Sequence, residues 1–243
     1  MEPLDSGRVD RGNAVMAVSA KRVSLDLYAF MSYQTNDKQV AGQLKVLLAD
    51  VGVTSFLAHE DIALSEEWAA KILEEIGKAD IFICVLSRHY LASPWCVQES
   101  GIAAQRRGMT IIPLSLDGTT PPGFLRHIQA VSISPTLLAL RDLVPGFLKH
   151  DFAKGIDLMI DLIGHSSNYR AAEADFQLIL PYIERLTDTQ RKNLLEQAIA
   201  NNQVHHASLC ARDYIPPLLG RYGHLLERKD RDFLKGICDR YAN

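Results

Sequence analysis

From residue 25 onward the chain alternates between short, unbroken apolar runs and amphipathic stretches. LDLYAFM (25–31), VTSFL (53–57), DIFICVL (80–86), TIIPLSL (110–116) and AVSIS (130–134) are five candidate strands. Runs that are apolar at successive positions suit strands covered on both faces, the condition of a parallel sheet. Between the first two, residues 36–52 place apolar side chains at 40, 44, 47, 48 and 51, a helical spacing that Gly52 closes. A second helix is predicted over 65–78. A third starts at Ser93, a capping residue, and Pro94, whose missing N–H costs nothing at the first helical position. Strand and helix in this rhythm build right-handed βαβ units, so the predicted fold class is α/β, a doubly wound five-stranded parallel sheet. In such sheets ligands sit at the carboxyl ends of the strands. Here those ends are the loops SYQTND, AHEDIALS and SRHYLASP.

After Gly164 the strand-like runs stop. SSNYRAAEAD (166–175) reads as a polar connector, and helices are predicted over 176–186, 187–202, 207–226 and 227–242. Pro216-Pro217 must break or kink the third of these. The organisation predicted is an extension over 1–23, an α/β domain over 24–163, a connector over 164–175 and a small all-helical region over 176–243.

One residue interrupts the pattern. On the helix SPWCVQESGIAAQ (93–105), about 100° per residue gathers Trp95, Cys96, Ile102 and Ala103 on one face with Glu99 at its centre. A carboxylate there must be paired, protonated or lining a cavity, because an unpartnered buried charge is costly. Arg88, Arg106 and Arg107 are the nearest candidate partners in sequence; Arg106 and Arg107 lie two turns on, too far for an i,i+4 pair, and the functional reading of Glu99 is favoured. Cys96, near the positive end of that helix, could be a nucleophile, though a buried thiol beneath the strand edge is the plainer account. Trp68 and Trp95 could stack on a flat ring or fill core. Glu60 and Asp61 read as solvated loop charges, and His205-His206 as surface polarity.

Composition narrows the classes. The 243 residues are 47% hydrophobic and 23% charged with a net charge of −3, ordinary for a globular chain and without a field that gathers nucleic acid or anionic membrane. Cysteines 84, 96, 210 and 238 show no C-x-x-C pairing or zinc-site spacing, so no metal is expected and the thiols read as reduced. The first residues carry Glu2, Asp5 and Asp10 ahead of a very short apolar run, unlike a signal peptide or anchor, and no window reaches about 18 apolar residues. A cytoplasmic location is therefore expected. Neither G-x-x-x-x-G-K-[ST] nor G-x-G-x-x-G occurs, against a P-loop nucleotidase or Rossmann dehydrogenase, and no G-x-S-x-G elbow is present.

AFMSYQTND (29–37), FLAHEDI (56–62) with EEW (66–68), and LSRHYLASPWCVQE (86–99) resemble, in that order, the first three motif regions of a Toll/interleukin-1 receptor (TIR) domain. The resemblance spans about residues 24–163 and implies a flavodoxin-like sheet. The S-x-W-C-x-x-E form is similar to that of bacterial and plant members, many of which cleave NAD at the nicotinamide–ribose bond with a glutamate that matches Glu99. It implies that Ser32 and Tyr33 contact the nicotinamide end and ribose, and that Glu60, Asp61 and Trp68 lie in or just after a loop that closes over substrate and touches a neighbouring subunit. Leu64-Ser65 replaces the Pro-Gly of many members. On this reading Trp95, Cys96 and Ile102 wall the pocket, NAD is substrate rather than cofactor, and the product is ADP-ribose or a cyclic isomer able to reach a downstream effector. It further implies self-association into dimers or filaments and a role in bacterial antiphage defence, with the C-terminal helices an oligomerising or sensing element. The alternatives are a non-catalytic TIR adaptor module and a nucleoside deoxyribosyltransferase-like N-glycosidase.

Overall fold

Five parallel strands, β1 (Leu27–Ser32), β2 (Val53–Leu57), β3 (Ile81–Leu86), β4 (Thr110–Ser115) and β5 (Val131–Ser132), pair in the order β2-β1-β3-β4-β5. The computed structural model describes residues 22–57 and 68–242. Glu60, Asp61, Leu64 and Ser65, and nearly all of the 1–23 extension, fall outside the described residues. The four long apolar runs became strands because both faces of the sheet are covered. The fifth shrank to two residues. Pro113 has no N–H to offer a neighbour, and β5 begins its pairing one residue later, at Leu114 opposite Val131.

α1 (Lys38–Ala49) lies on one face of the sheet. α2 (Trp68–Lys78) covers the other, where Phe30 stacks on Phe82 with centroids 5.7 Å apart and meets Phe56 at 5.5 Å. α3 (Arg88–Ala92) and α4 (Pro94–Gln105) follow β3 on that second face. The turn from α1 into β2 needs Gly52: its φ is +70°, and a Cβ there would sit 2.0 Å from the Ser24 hydroxyl.

Beneath the second face, Glu75 of α2 is buried and accepts hydrogen bonds from the Tyr28 hydroxyl, Lys71 and Lys78. Burial alone would raise its pKa, but these three donors outweigh burial and hold it down at about 2. A carboxyl depressed in the folded state stabilises above its unfolded pKa and loses that contribution as pH falls through the folded value. Glu75→Gln is therefore expected to cost up to about 3 kcal/mol at pH 7. Denaturant titrations of the two proteins should converge as pH drops from about 4.5 toward 2; a gap independent of pH would refute this account.

α5 (Val144–His150) and α6 (Phe152–Gly164) return to the α1 face. The chain then continues through α7 (Tyr169–Ile179), α8 (Asp188–Ala200), α9 (Asn202–His205), α10 (Ile215–Tyr222) and α11 (Arg228–Tyr241). The stretch expected as a connector, 164–175, is mostly helix: Asn168 caps α7 by accepting the Ala171 N–H at 2.9 Å. The buried positions of its first turns are Ala172 and Asp175, one small and one polar, so the apolar period was faint. Asp175 accepts from Ser166 at 2.9 Å and faces Arg141 at 3.2 Å.

One continuous apolar cluster runs from Leu25, Leu44 and Ile83 through Ile156 and Ile160 of α6 to Phe176, Leu194 and Leu234. At its edge the Asn201 amide donates to the carbonyls of Ile163, Gly164 and Ser166 at 3.2, 3.1 and 3.0 Å, tying the end of α6 to the end of α8. The expected break at Pro216-Pro217 takes the form of a π-helical turn, Cys210–Tyr214, directly before α10. A wider turn leaves room where a proline ring would strike the carbonyl four residues back. His205 corrects the surface expectation: it is buried, with Nδ1 2.9 Å from the Ala198 carbonyl, and burial lowers its pKa.

Candidate functional site

β1 delivers Ser32 to the carboxyl edge of the sheet, and α4 delivers Glu99 to the same point from above. Ser93 caps α4 by accepting the Cys96 N–H, with Pro94 in the first turn, as the sequence predicts. The buried stripe of α4 is Cys96, Glu99, Ser100 and Ala103, the i, i+3, i+4, i+7 set. It is rotated by about 50° from the face centred on Glu99, so Ser100 turns inward and Trp95 turns out, 43% exposed.

Glu99 is 1% exposed. Its Oε2 accepts the Ser32 hydroxyl at 2.5 Å, and its Oε1 is buried with no hydrogen-bond partner among the described residues. Burial pushes the Glu99 pKa up to about 7, against the smaller opposing effect of the Ser32 hydrogen bond. Of the three options left open by the sequence, an ion pair is absent among the described residues. Glu99 is instead a carboxyl that exchanges its proton near neutrality.

Behind it runs a line of hydroxyls. Tyr90 Oη lies 2.9 Å from Ser32 Oγ, 2.8 Å from Ser100 Oγ and 3.2 Å from the Cys96 carbonyl. Ser87 caps α3 and so fixes the ring of Tyr90, whose phenol burial holds neutral. With Glu99 ionised, Ser32 donates to it, Tyr90 donates to Ser32 and Ser100 donates to Tyr90. With Glu99 protonated, every donor can reverse. Tyr90 and Ser100 were not singled out in the sequence. Ser100 had a signal, a polar residue on the same helical stripe as Cys96 and Ala103, whereas a tyrosine in a surface-reading loop had none.

Cys96 is fully buried, and burial, with the nearby Glu99 charge, pushes its thiol up to about 11. A neutral thiol is a wall and not a nucleophile. Ser32, Cys96 and Glu99 are thus brought together. Tyr33, one residue past Ser32 and pointing the other way, is buried in the core of the α1 face. Trp68, at the start of α2, is 43% exposed. No group of three or more His, Cys, Asp or Glu side chains able to hold a metal occurs among the described residues, and no described helix is long and apolar enough to cross a membrane.

A family model described as "TIR domain" matches residues 29–144, the segment that holds β2 to β5, all but the first two residues of β1, Ser32 and Glu99. These residues form a TIR domain. The TIR domain of the Toll-related receptor TRR-2 from Hydra magnipapillata, a solved structure, is similar at 21% identity and a TM-score of 0.41, covering 52% of this chain and 96% of that one. No curated protein matches the chain. Within the TIR segment, β1 and α4 are the elements that meet at the carboxylate, and the helices from α7 onward lie beyond the matched residues.

Proposed function

We propose that the TIR domain of this chain is an NAD nucleosidase or cyclase that cleaves the nicotinamide–ribose bond, with Glu99 as the catalytic carboxylate. The observation that carries the reading is the buried Oε1 of Glu99 at the carboxyl edge of the sheet, which has no hydrogen-bond partner among the described residues. Nicotinamide in NAD is a pyridinium: when the bond from C1′ to its nitrogen breaks, the electron pair stays on nitrogen and the base leaves neutral. No proton donor is needed, unlike ordinary glycoside hydrolysis with its two carboxylates. One carboxylate suffices, to bind ribose hydroxyls and offset the positive charge growing at C1′, and a site lined by Cys96 and closed to bulk water strengthens that attraction. Water adding to C1′ and losing a proton gives ADP-ribose; an internal nucleophile gives a cyclic isomer lighter by one water.

The same reading makes NAD a substrate, with no cofactor or metal, and places Trp68 and Trp95 at the outer rim as stacking or subunit-contacting rings. It includes self-association through TIR domains, signalling to an effector through the nucleotide product in antiphage defence, and a cytoplasmic location. A TIR adaptor role without catalysis is the second reading, favoured by the outward-facing Trp95, Leu91 and Val97 on α3 and α4.

The test is chromatography with mass detection of NAD incubated with full-length protein over a range of protein concentrations and pH. Because only ionised Glu99 offsets the positive charge, kcat/KM should rise with pH and level off above about 7. In the kcat profile the limb should move to lower pH, because the bound pyridinium favours the carboxylate. Intact NAD at every concentration and pH would leave the adaptor reading in place.

A further inference from the structure

A crevice of about 390 Å³ opens at the carboxyl edge two strands away from Ser32, lined among others by Ser115, Thr120, Arg126, His127, Gln129 and Ser132. Strand register fixes its orientation. Ser32 pairs with Cys84, two residues before Leu86, which pairs with Ser115, which pairs with Ser132. Register partners in a parallel sheet point to the same face, so Ser115 and Ser132 open toward the α4 side, as Ser32 does. At about 4.8 Å per strand the crevice is a separate place, about 10 Å or more from Ser32.

Its chemistry is one-sided. Ser115 is 3% exposed and its hydroxyl has no hydrogen-bond partner among the described residues, a vacancy that a folded chain normally fills. Arg126 and His127 are exposed at the mouth, and no ion pair engages either within the described residues. No carboxylate is among the lining residues. The nearest one in sequence, Asp117, is occupied by the N–H and hydroxyl of Thr119 and the N–H of Arg88. Hydroxyls, a side-chain amide, an imidazole and a guanidinium fork line one space with no carboxylate among them, so its donors can turn toward an anion and only Arg126 brings a fixed charge, which suits a phosphate group. A volume near 400 Å³ holds a phosphate and the sugar that carries it.

We infer that the Ser115–Ser132 crevice binds the phosphate end of a small phosphorylated sugar or nucleotide, with Arg126 as the principal charge partner and the Ser115 hydroxyl as an inner donor. Nothing in the inference depends on the chemistry of Glu99. The phosphate could come from a monophosphate metabolite or from the diphosphate of a dinucleotide, so both are tested.

The experiment is isothermal titration calorimetry of the full-length chain with ribose 5-phosphate, ADP-ribose and ribose, repeated on Arg126→Ala and Ser115→Ala. Arg126 is exposed, so its truncation leaves the fold intact. Binding of at least one phosphorylated probe, no heat from ribose, and a tenfold or greater weakening in Arg126→Ala are expected, with a smaller loss in Ser115→Ala. If both phosphorylated probes weaken, the crevice takes either source; if ribose 5-phosphate alone weakens, it is a monophosphate site; if ADP-ribose alone weakens, it is a diphosphate site. Absence of binding by both phosphorylated probes, binding undiminished in Arg126→Ala, or equal binding of ribose would overturn the inference.

Discussion

Glu99→Gln is expected to abolish NAD cleavage, by about a thousandfold or more, and at the same time to make the protein more stable above neutral pH. Both effects come from the same burial. The carboxyl is 1% exposed, and its pKa rises from its ordinary value to about 7. A group raised in the folded state contributes its full stability below the unfolded pKa and loses it as pH rises through the folded one. Wild-type protein therefore loses up to about 3 kcal/mol between pH 4.5 and the region above 7, and glutamine, neutral throughout, does not. The amide can still meet the Ser32 hydroxyl, so the fold is kept. For a chain of this size the gap amounts to a melting temperature about 6 to 12 °C higher for the variant at pH 8, closing at pH 4.5. Scanning calorimetry at the two pH values, beside the NAD assay, separates the possibilities. A variant destabilised equally at both would show that Glu99 is a structural hydrogen-bonding group, and a variant that still turns over NAD would remove it from the mechanism.

The second large effect is expected far from that site. Phe176 of α7 is fully buried and stacks on Tyr214 with centroids 5.8 Å apart. Phe176→Ala should cost about 3–5 kcal/mol through lost burial and the cavity left behind. Both tryptophans of the chain, Trp68 and Trp95, lie in the TIR segment, so their fluorescence reports that segment alone. Because one apolar cluster spans the sheet, α6 and the later helices, the denaturant midpoint seen by the tryptophans should fall together with that seen by far-ultraviolet circular dichroism. An unshifted tryptophan transition with an early dichroism phase would mean that the helices from α7 onward unfold by themselves.

The strands were legible because a parallel sheet covered on both faces leaves unbroken apolar runs, and β1 to β4 start and end within two residues of the runs that predicted them. Glu99 was legible for the opposite reason, a charge in a helical stripe where the others were apolar. Of its hydroxyl supports, Ser32 was reached through the family resemblance and Ser100 was signalled by its place on the helical stripe, whereas Tyr90 had no signal, because a tyrosine occurs on surfaces and in cores alike and only the fold assigns it. The helix α7 was hidden by alanines and a buried aspartate paired with Ser166 and Arg141. Tyr33 and Trp95 show how little rotation matters to a motif and how much to a site. One residue along β1, or about 50° around α4, moves a side chain from the neighbourhood of Glu99 to the opposite core or to solvent.

α6 serves as a party wall. Ile156, Leu158, Met159, Ile160 and Ile163 are all buried in a helix packed against α5 on one side and α7 and α8 on the other, so most of its circumference is answerable to two neighbours at once. A change of side-chain volume that suits one side strains the other, and compensation requires a second substitution in a segment distant in sequence. The α/β and all-helical parts of the chain are thereby joined through one shared helix face and are not exchangeable modules of this fold.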